Sequence, residues 1–399
     1  MFDYIKIEGF KSFKSVELEM PRLAVLIGPN GGGKSNFVDL LMLIAEAGAG
    51  QLSNGVLRRG GFRDVVFGFD ASKQMRFELR FREAVHAWKL FSEANGRRLD
   101  VRFRAAVRSV GVSSAQVTEE LVRQESATQP ALSADVVSRN KAGAEFLYTE
   151  ESGRVNKRSM VAAPFELMIS QVRDPVSYPA ASVVLEEVGG WTFYRDIEVG
   201  PDAPVRLPQL IRDETRLFSS GANLASVFYS VQQHHPDIWA EMLEIVNTAY
   251  PEFVRLTVPA GGGDGKVLLR WFERPFEKEG MSANLLSDGT LKLLCLIAIL
   301  KSPDPPPLIC IDEPELGLHP DWIKLVAELL QDAACRTQVI VATHSPHIVE
   351  KLDADQVIVV DKVDGESKMK RLEKADLEKW LKDFNLSELW LAGHFGGRP

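Results

Sequence analysis

The sequence has little cysteine and no long hydrophobic run. Its 399 residues include only three cysteines, Cys295, Cys310 and Cys335, widely spaced and without a C-x-x-C pair. This excludes a disulfide framework and predicts reduced thiols in a reducing compartment. No segment reaches the ~18 uncharged apolar residues of a membrane span, and residues 1–6 alternate like a strand rather than forming a signal peptide. We therefore expect a cytoplasmic protein with no membrane partner.

The composition is that of an ordinary globular protein. Hydrophobic residues make up 45% of the chain and charged residues 26%, which suits one large core or two smaller ones and excludes disordered and fibrous classes. The formal charge is −8, yet residues 55–160 carry 19 Lys and Arg against 13 Asp and Glu. Because nucleic acid is bound by local basic surface, this balance neither excludes nor supports DNA as a partner.

Hydrophobic patterns predict an α/β protein. Residues 5–7 and 16–19 alternate as an antiparallel pair of strands, and Leu23–Ile27 is a continuous apolar run typical of a strand buried on both faces. In the last third, apolar runs at 308–311, 338–342 and 357–360 alternate with helical segments at 291–300 and 320–330. This predicts a parallel sheet covered by helices. Helices are also expected at 222–233 and 237–249, and a hairpin at 253–258 and 266–272. Residues 111–199 carry only weak patterns.

A glycine-rich loop follows the first buried strand. Residues 28–35 read Gly-Pro-Asn-Gly-Gly-Gly-Lys-Ser and match G-x-x-x-x-G-K-[ST], with a helix expected from Ser35 to about Glu46. Glycines let backbone N–H groups turn toward an anion, and the helix N-terminus adds a favourable dipole. The pattern predicts that Lys34 reaches the β- and γ-phosphates of a nucleotide and that Ser35 binds Mg²⁺. The alternative is a turn that binds nothing.

Two adjacent carboxylates, Asp312 and Glu313, end the buried strand at 308–311. Parallel strands deliver their C-terminal residues to the sheet edge where ligands bind. There, Asp312 is predicted to hold Mg²⁺ and Glu313 to polarise the attacking water. His344 ends a second buried strand and is predicted to reach the γ-phosphate. The alternatives are a solvated turn for the acidic pair and a core or capping role for the histidine.

Together these motifs resemble the ABC-type ATPases of the chromosome-maintenance and RecF-like class, and most closely the bacterial AAA-family ATPases related to the OLD proteins. The resemblance lies in the order of the motifs along the chain. They are residues 5–13 (Ile-Lys-Ile-Glu-Gly-Phe-Lys-Ser-Phe), the loop at 28–35, 286–290 (Leu-Ser-Asp-Gly-Thr), 311–320 (Ile-Asp-Glu-Pro-Glu-Leu-Gly-Leu-His-Pro), 343–346 (Thr-His-Ser-Pro), and the tail at 389–393 and 396–397.

The resemblance implies a P-loop ABC-type ATPase head, with a mixed or parallel sheet covered by helices and an inserted α+β arm. The discontinuous ATPase core is placed at 1–90 and 280–399, and the β-rich and helical insertion at 91–279. ATP and Mg²⁺ are the implied cofactors. The predicted nucleotide-binding residues are Asn30, Gly31, Gly32, Gly33, Lys34, Ser35, Asn36, Ser287 and Gly289. The predicted metal ligands are Ser35 and Asp312, and the catalytic residues are Lys34, Glu313 and His344.

The resemblance also implies a homodimer on ATP binding. ATP on Lys34 of one subunit would be capped by Ser287 and the helix beginning near Thr290 of the other, and residues 315–319 would cross the dimer seam. Relatives with the standard signature have Gly at the position of Asp288 and Gln or Glu at that of Thr290. Asp288 is therefore expected to cap the helix rather than face phosphate, and a plain turn before a buried helix is the alternative.

The insertion has no heptad repeat, so it is expected to be compact rather than a long coiled coil. OLD proteins carry a Toprim nuclease domain after the ATPase, for which the 55 residues after His344 are too few. A nuclease or other effector is thus expected to be a separate protein. Gln171 is the candidate for the glutamine with which relatives sense Mg²⁺.

Six arginines alternate with apolar residues on two predicted strands, residues 76–83 and 101–108. They are Arg76, Arg80, Arg82, Arg102, Arg104 and Arg108, with Arg58-Arg59 and Arg97-Arg98 nearby. This arginine face is either a basic stripe for a nucleic-acid backbone or a solvated sheet face interspersed with Glu78 and Glu83.

The leading functional prediction is an ATP-gated dimer that couples nucleotide state to DNA or to a partner effector, in genome maintenance or anti-phage defence. One alternative is the nucleotide-binding subunit of a membrane transporter, against which the non-standard signature and the strand-rich middle argue. The other is an ATP-dependent scaffold that does not hydrolyse, against which Asp312 and Glu313 argue.

Overall fold

The computed structural model describes residues 1–82, 100–110, 114–125, 133–140, 143–149, 155–172, 174–175, 177–260, 265–274, 277–378, 380 and 383–395. Arg97-Arg98, Glu83, most of the glycine turn at 261–265 and the tail glycines at 396–397 lie outside these residues. The chain divides into two compact units, the first comprising Met1–Trp191, Asp355–Asp376 and Phe395–Pro399, and the second Thr192–Ala354 and Leu377–His394. The limits at 90/91 and 279/280 stay a prediction.

The described strands and helices are as follows. The strands are β1 (Phe2–Phe10), β2 (Phe13–Glu19), β3 (Leu23–Ile27), β4 (Gln74–Phe81), β5 (Asp100–Val110), β6 (Ser114–Glu125), β7 (Ala134–Asn140), β8 (Gly143–Thr149), β9 (Val155–Ser159), β10 (Thr192–Tyr194), β11 (Gln209–Leu210), β12 (Phe253–Thr257), β13 (Lys266–Val267), β14 (Arg270–Glu273), β15 (Met281–Ser282), β16 (Leu308–Asp312), β17 (Gln338–Ala342), β18 (Val357–Val363) and β19 (Glu366–Arg371). The helices are α1 (Lys34–Gly48), α2 (Leu52–Arg58), α3 (Phe62–Val65), α4 (Pro179–Gly189), α5 (Leu224–His234), α6 (Pro236–Ala249), α7 (Asp288–Leu300), α8 (Pro320–Ala334), α9 (Pro346–Val349), α10 (Lys374–Leu377) and α11 (Leu386–Leu391).

A large antiparallel sheet occupies much of the first unit. Its strands run in the order β2-β1-β4-β5-β6-β7-β8-β9. Alternation puts the apolar residues of β4 and β5 on one buried face, where Phe77 and Phe103 pack edge to face with ring centroids 5.6 Å apart. The arginine face occupies the other side, as the sequence predicts. The edge strand β9 is mostly exposed.

The first unit also holds the strand that precedes the phosphate loop. All five residues of β3 are buried, and β3 pairs in parallel with β18, where Ile27 lies opposite Val359. Strand β19 then pairs antiparallel with β18. Helix α1 buries an apolar face including Phe37, Leu40 and Ile44, because these residues recur at helical spacing.

The second unit contains three parallel strands, β10, β16 and β17. Strand β16 is buried up to Asp312, which lies opposite Ala342 of β17. Helix α7 is apolar almost all round and buries ten residues, as a helix enclosed by its own unit should. Helix α8 is amphipathic, with Ile323, Val326 and Leu330 among its buried residues.

The predicted fold class is confirmed, since parallel and antiparallel strands combine with helices. The predicted hairpin was wrong in its second strand. β14 pairs with β12, but Lys266 and Val267 pair with β11 instead, because partner choice there depends on a segment some 55 residues earlier. Among the described residues, we find no helix that combines the length and the apolar character needed to cross a membrane.

Candidate nucleotide-binding and acidic sites

The phosphate loop joins β3 to α1 and needs glycine at two positions. Gly28 has φ 151° and Gly33 has φ 123°, in the region that favours glycine. A Cβ at Gly28 would collide with the carbonyl oxygen of Val360, and one at Gly33 with the hydroxyl of Ser367. Neither neighbour leaves room for a larger residue, so the loop backbone can turn only with glycine at these places.

Lys34 lies inside this loop. Its side chain is 6% exposed, and Nζ donates hydrogen bonds to the carbonyl oxygens of Gly28 at 2.8 Å and Pro29 at 3.2 Å. The loop therefore fixes a buried positive charge at the start of α1. Asn30, Gly31 and Ser35 are exposed, so an anion can reach the loop from solvent, with the helix N-terminus favouring its binding.

Two serines, Ser12 and Ser367, support the loop through hydrogen bonds. Ser367 Oγ donates to the Gly32 carbonyl at 2.5 Å and bonds Ser12 Oγ at 2.7 Å. Ser12 Oγ also accepts a hydrogen bond from Asn36 Nδ2 at 2.8 Å. This chain of bonds ties the β1–β2 turn and the start of β19 to the loop. The only sequence signal was Ser12 within the motif at 5–13.

The acidic pair lies at the end of β16 in the second unit. Glu313 donates its backbone N–H to the carbonyl of Ala342 at 2.8 Å, and its φ of 49° is unusual for a residue other than glycine. Arg195, which follows β10, places Nε 3.6 Å from Asp312 Oδ2. The sequence signal for Arg195 was a short apolar strand ending in a charged pair, like that of β16.

Further polar groups surround the acidic pair. Glu315 Oε1 accepts hydrogen bonds from Thr343 Oγ1 at 2.6 Å and from the backbone N–H of His344 at 2.9 Å. Lys292 of α7 places Nζ 3.4 Å from the carbonyl oxygen of Glu313. Burial lowers the pKa of Lys292, partly offset by the charges of Glu315 and Glu313. Lys292 is the one charged residue among the apolar residues 291–300, which is a signal that sequence reasoning overlooked.

The structure brings the acidic pair and His344 together, because neighbouring parallel strands end side by side. Asp312 lies opposite Ala342 in the register, and His344 follows Ala342 by two residues. The Glu315 carboxylate links the two segments. The side chain of His344 is half-buried. Its contact with a γ-phosphate stays a prediction.

The signature segment begins helix α7. Ser287 is the N-cap residue, and its Oγ accepts a hydrogen bond from the Thr290 N–H at 3.1 Å. The expectation that Asp288 caps the helix was wrong. Asp288 lies in the first turn, and its Oδ1 is 2.5 Å from a guanidinium nitrogen of buried Arg206. The same guanidinium also donates to the carbonyl of Leu286 at 2.7 Å, so it organises the segment.

Gly289 lies against the segment predicted to cross a dimer seam. A Cβ on Gly289 would be 2.8 Å from the carbonyl oxygen of Gly317. This close backbone approach explains the glycine at 289 on packing grounds. A role for Ser287 and Gly289 in binding the nucleotide of a partner subunit stays a prediction.

Gln171 lies in a 3₁₀ turn, Ile169–Gln171, of the first unit. The Glu120 carboxylate of β6 accepts hydrogen bonds from the N–H groups of Met168 at 2.6 Å and Ile169 at 2.9 Å. Gln171 Nε2 is buried and makes no hydrogen bond among the described residues. Burial raises the pKa of Glu120 to about 7, an effect reduced by these two bonds and by Arg139.

The arginine face is largely paired with acidic side chains. Arg80 bonds Asp3 at 2.8 Å, and Arg102 bonds Glu78 at 2.9 Å and Glu125 at 2.8 Å. A groove of about 1140 Å³ on this face is lined by acids as well as arginines. The pairing favours a solvated, self-neutralised sheet face over a basic stripe, since a phosphate backbone would have to displace the acids.

The predicted residues thus form two groups. The loop residues 28–36 are in the first unit, and Ser287, Gly289, Asp312, Glu313 and His344 are in the second. Exposed Ser35 and the strand-end carboxylate of Asp312 are hard oxygen donors of the kind Mg²⁺ takes. That both groups serve one nucleotide stays a prediction.

Comparison with known families gives a match for about half of the chain. Residues 158–350 match the family described as "AAA domain, putative AbiEii toxin, Type IV TA system". The matched range includes the signature segment, the acidic pair and His344.

Three curated proteins are similar over shorter stretches. The chain is 29% identical to structural maintenance of chromosomes protein 1 of Arabidopsis thaliana over 121 residues, which is 30% of this chain and 9% of that protein. It is 29% identical to the Retron Vc95 probable ATPase of Vibrio cholerae over 86 residues, 21% of this chain and 17% of that protein. It is 36% identical to the chromosome partition protein Smc of Methanocaldococcus jannaschii over 63 residues, which is 16% of this chain and 5% of that protein. The chain therefore spans less than a fifth of the length of each relative.

Solved structures agree over nearly the whole chain. The SmcHead bound to the C-winged helix domain of ScpA superposes with a TM-score of 0.58 at 18% identity, covering 96% of this chain and 99% of that one. A second structure is the Smc head domain with an extended coiled coil from Pyrococcus furiosus, bound to the C-terminal domain of ScpA. It superposes with a TM-score of 0.54 at 15% identity, covering 96% of this chain and 98% of that one. At these identities the likeness shows the fold, which is that of an Smc head domain.

Proposed function

We propose that this chain, an SMC-like, ABC-type ATPase of the AAA class, binds ATP with Mg²⁺, hydrolyses it, and uses the nucleotide to close a homodimer. The closed dimer would gate DNA binding or a separate effector protein, in genome maintenance or anti-phage defence. The biological setting rests on analogy with the relatives alone.

The observation that carries ATP binding is the phosphate loop itself. Its glycines are required by close backbone contacts, and its buried lysine ammonium is held 2.8 Å from a loop carbonyl. The backbone N–H groups of the loop and the charge of the Lys34 ammonium both favour the binding of a polyphosphate. The exposed Asn30, Gly31 and Ser35 leave the anion a route to the loop.

The side chains divide the work of hydrolysis. Lys34 binds the β- and γ-phosphates, Ser35 and Asp312 hold Mg²⁺, and Glu313 orients and deprotonates the attacking water. When bound there, Mg²⁺ neutralises charge on the phosphate oxygens. Glu315 and Lys292 position the segment that carries Glu313, through the bonds to Thr343 and to the Glu313 carbonyl.

Closure of the dimer would use the signature segment. The capped N-terminus of α7 offers free backbone N–H groups and the Ser287 hydroxyl to a phosphate. Asp288 is a less serious obstacle than its charge suggests, because Arg206 neutralises it at 2.5 Å. An effector is a reasonable partner, since two similar Smc heads are described as bound to ScpA domains.

Replacing Lys34 tests the proposal directly. Lys34→Ala removes the loop's side-chain cation and should weaken ATP binding by at least about 100-fold, because a charge-assisted contact to phosphate is lost. Isothermal titration calorimetry with ATP and Mg²⁺ measures this. The control is Lys324→Ala, at a half-exposed lysine of α8, which should bind as the parent does. Affinity of the Lys34→Ala variant within a few-fold of the parent would contradict the proposal.

A further inference from the structure

Strand β10 ends in a charged pair, Arg195 and Asp196, beside the acidic pair at the end of β16. The two strands are parallel, and Tyr194 lies opposite Ile311. The register therefore carries Arg195 to the level of Asp312, and Arg195 Nε lies 3.6 Å from Asp312 Oδ2. Two neighbouring strands thus deliver a cation and a carboxylate to the same point of the sheet edge.

The contact between Arg195 and Asp312 is an ion pair rather than a hydrogen bond. A hydrogen bond from a guanidinium to a carboxylate is normally about 2.7–2.9 Å long, and this separation is longer. Among the described residues, the guanidinium of Arg195 makes no hydrogen bond, and its side chain is 39% exposed. Arg206 of the same unit differs, because it is buried and bonds several backbone carbonyls. Arg195 is therefore held by charge, and it can leave Asp312 without breaking a hydrogen bond.

The other charged groups at this sheet edge are fixed by bonds of their own. Glu315 accepts two hydrogen bonds from the segment that follows β17, and Lys292 donates one to the carbonyl of Glu313. By contrast, the charge of Arg195 faces Asp312, the proposed metal ligand. The Asp312 side chain is only 16% exposed, so water screens the charge of a neighbouring group weakly there. A change of cation at this edge therefore concerns Arg195 and Asp312.

Mg²⁺ and a guanidinium compete for the same carboxylate. Mg²⁺ binds carboxylate oxygens at about 2.0–2.1 Å and keeps several waters in an octahedral shell. A hydrated dication on Asp312 would lie next to the positive charge of Arg195, with one carboxylate charge between them. Because like charges repel strongly where screening is weak, metal binding should require the guanidinium to move away.

We propose that Arg195 is a positioning residue that occupies the Asp312 carboxylate in the absence of nucleotide and competes with Mg²⁺ for it. The ion pair keeps the carboxylate at the sheet edge and discourages the metal from binding alone. A metal that arrives with a polyphosphate brings negative charge with it, so it can displace the guanidinium. This inference rests on the proposed metal role of Asp312, and it adds the residue that sets when the metal binds.

The test measures Mn²⁺ binding to the full chain without nucleotide, by electron paramagnetic resonance of the free ion. Mn²⁺ replaces Mg²⁺ because both ions take carboxylate and water ligands. Arg195→Gln removes the competing charge and should tighten Mn²⁺ binding about tenfold. Arg195→Lys keeps the charge and should bind Mn²⁺ as weakly as the parent does. A gain in affinity cannot result from a damaged fold, which would weaken binding.

Two further variants locate the effect. Arg212→Gln is the matched control, because that arginine also lies at the surface of the second unit and forms an ion pair of similar length, 3.5 Å, with Glu214. It should leave Mn²⁺ affinity unchanged. The double variant that combines Arg195→Gln with Asp312→Asn should lose the binding that Arg195→Gln gains alone.

Two kinds of result overturn the inference. The first is an Mn²⁺ affinity of Arg195→Gln equal to or below that of the parent, or an equal gain in Arg195→Lys. The second is gained binding that persists after Asp312→Asn, which would also remove Asp312 from the proposed metal site. ATP binding that depends on Lys34 would survive the first result, so failure of this inference can be told apart from failure of the proposed function.

Discussion

At the scale of single residues, the acidic site contains a glutamate whose backbone adopts a conformation that is unfavourable for residues other than glycine. Glu313 adopts a left-handed φ of 49°, which costs on the order of 1–3 kcal/mol for a residue other than glycine. Three hydrogen bonds hold it there: its N–H donates to the Ala342 carbonyl, and its own carbonyl accepts from the Leu316 N–H and from Lys292 Nζ. The orientation of the proposed catalytic carboxylate is therefore expected to depend in part on Lys292, a half-buried lysine that bonds the backbone of Glu313.

Lys292→Met tests this positioning role. The change keeps the length of the side chain but removes the ammonium that bonds the Glu313 carbonyl and lies near two carboxylates. We expect turnover to fall about tenfold to 100-fold, in keeping with the loss of one hydrogen bond to a charged group, while ATP affinity stays near that of the parent. Steady-state hydrolysis and calorimetry measure the two quantities.

Lys324→Met is the matched control, because that lysine lies on the surface of α8 and should affect neither quantity. Turnover of Lys292→Met equal to that of the parent would mean that Glu313 keeps its place without the lysine. An equal fall in turnover and in affinity would point to a general disturbance of the site instead.

At the scale of structural elements, one carboxylate of β6 holds the segment that carries Gln171. Glu120 is 1% exposed and accepts N–H bonds from Met168 and Ile169. Arg139 of β7 adds a bond to the carbonyl of Glu166 at 2.9 Å. The position of the candidate Mg²⁺-sensing glutamine is thus set by two neighbouring strands of the large sheet.

Glu120 gives the first unit a pH-dependent stability. Burial raises its pKa to about 7 in the folded chain, above the ordinary value near 4.3, so the native state keeps this proton more tightly. The free energy of unfolding should therefore fall as pH rises from about 4.5 to about 7, and level off above that, by on the order of 3 kcal/mol. Glu120→Gln removes the titrating group and should lack this slope.

Urea unfolding of the parent and of Glu120→Gln between pH 5 and 8 provides the measurement. The stability advantage of the parent over the variant should shrink as pH rises. Glu125→Gln, at a carboxylate of the same strand that lies nearer the surface, is the control and should follow the parent. Parallel pH profiles for the parent and Glu120→Gln would exclude a raised pKa at this position.

Elements with a strong local pattern could be predicted from the sequence, and those formed by distant contacts could not. The apolar run Leu23–Ile27 and the glycines after it specify a buried strand and a loop by themselves. By contrast, Lys266 and Val267 pair with β11 rather than completing a hairpin, since strand pairing is decided by long-range packing. The same holds for the bonds of Glu120, Arg195 and Lys292, whose partners lie 21 to 117 residues away in sequence.

At the scale of the whole molecule, the fold is that of an Smc head domain. The superposition covers 96% of this chain and 99% of the SmcHead, whereas the matched stretch is only 5% of the Smc protein of M. jannaschii. In the homodimer that the resemblance implies, ATP on the phosphate loop of one subunit is expected to be capped by the signature segment of the other. Nucleotide should therefore control the assembly of this chain.

Glu313→Gln should trap that assembly. The amide keeps the size of the side chain but cannot take a proton from water, so hydrolysis should fall at least about 100-fold, while ATP still binds. With ATP and Mg²⁺ the variant should sediment as a larger species than without nucleotide. Sedimentation velocity measures this, with Glu328→Gln on α8 as the control. Finding only the starting species with ATP would count against the nucleotide-closed dimer.

One edge of the eight-stranded sheet of the first unit is the strand β9, which is unfavourable for pairing with a strand of another chain. β9 is mostly exposed and carries Lys157 and Arg158 in its short length. An incoming strand would have to lie beside these cations, which is how natural sheets avoid open-ended polymerisation. An eight-stranded sheet in this chain therefore need not recruit further strands, and the proposed nucleotide-closed dimer would be its route of self-association.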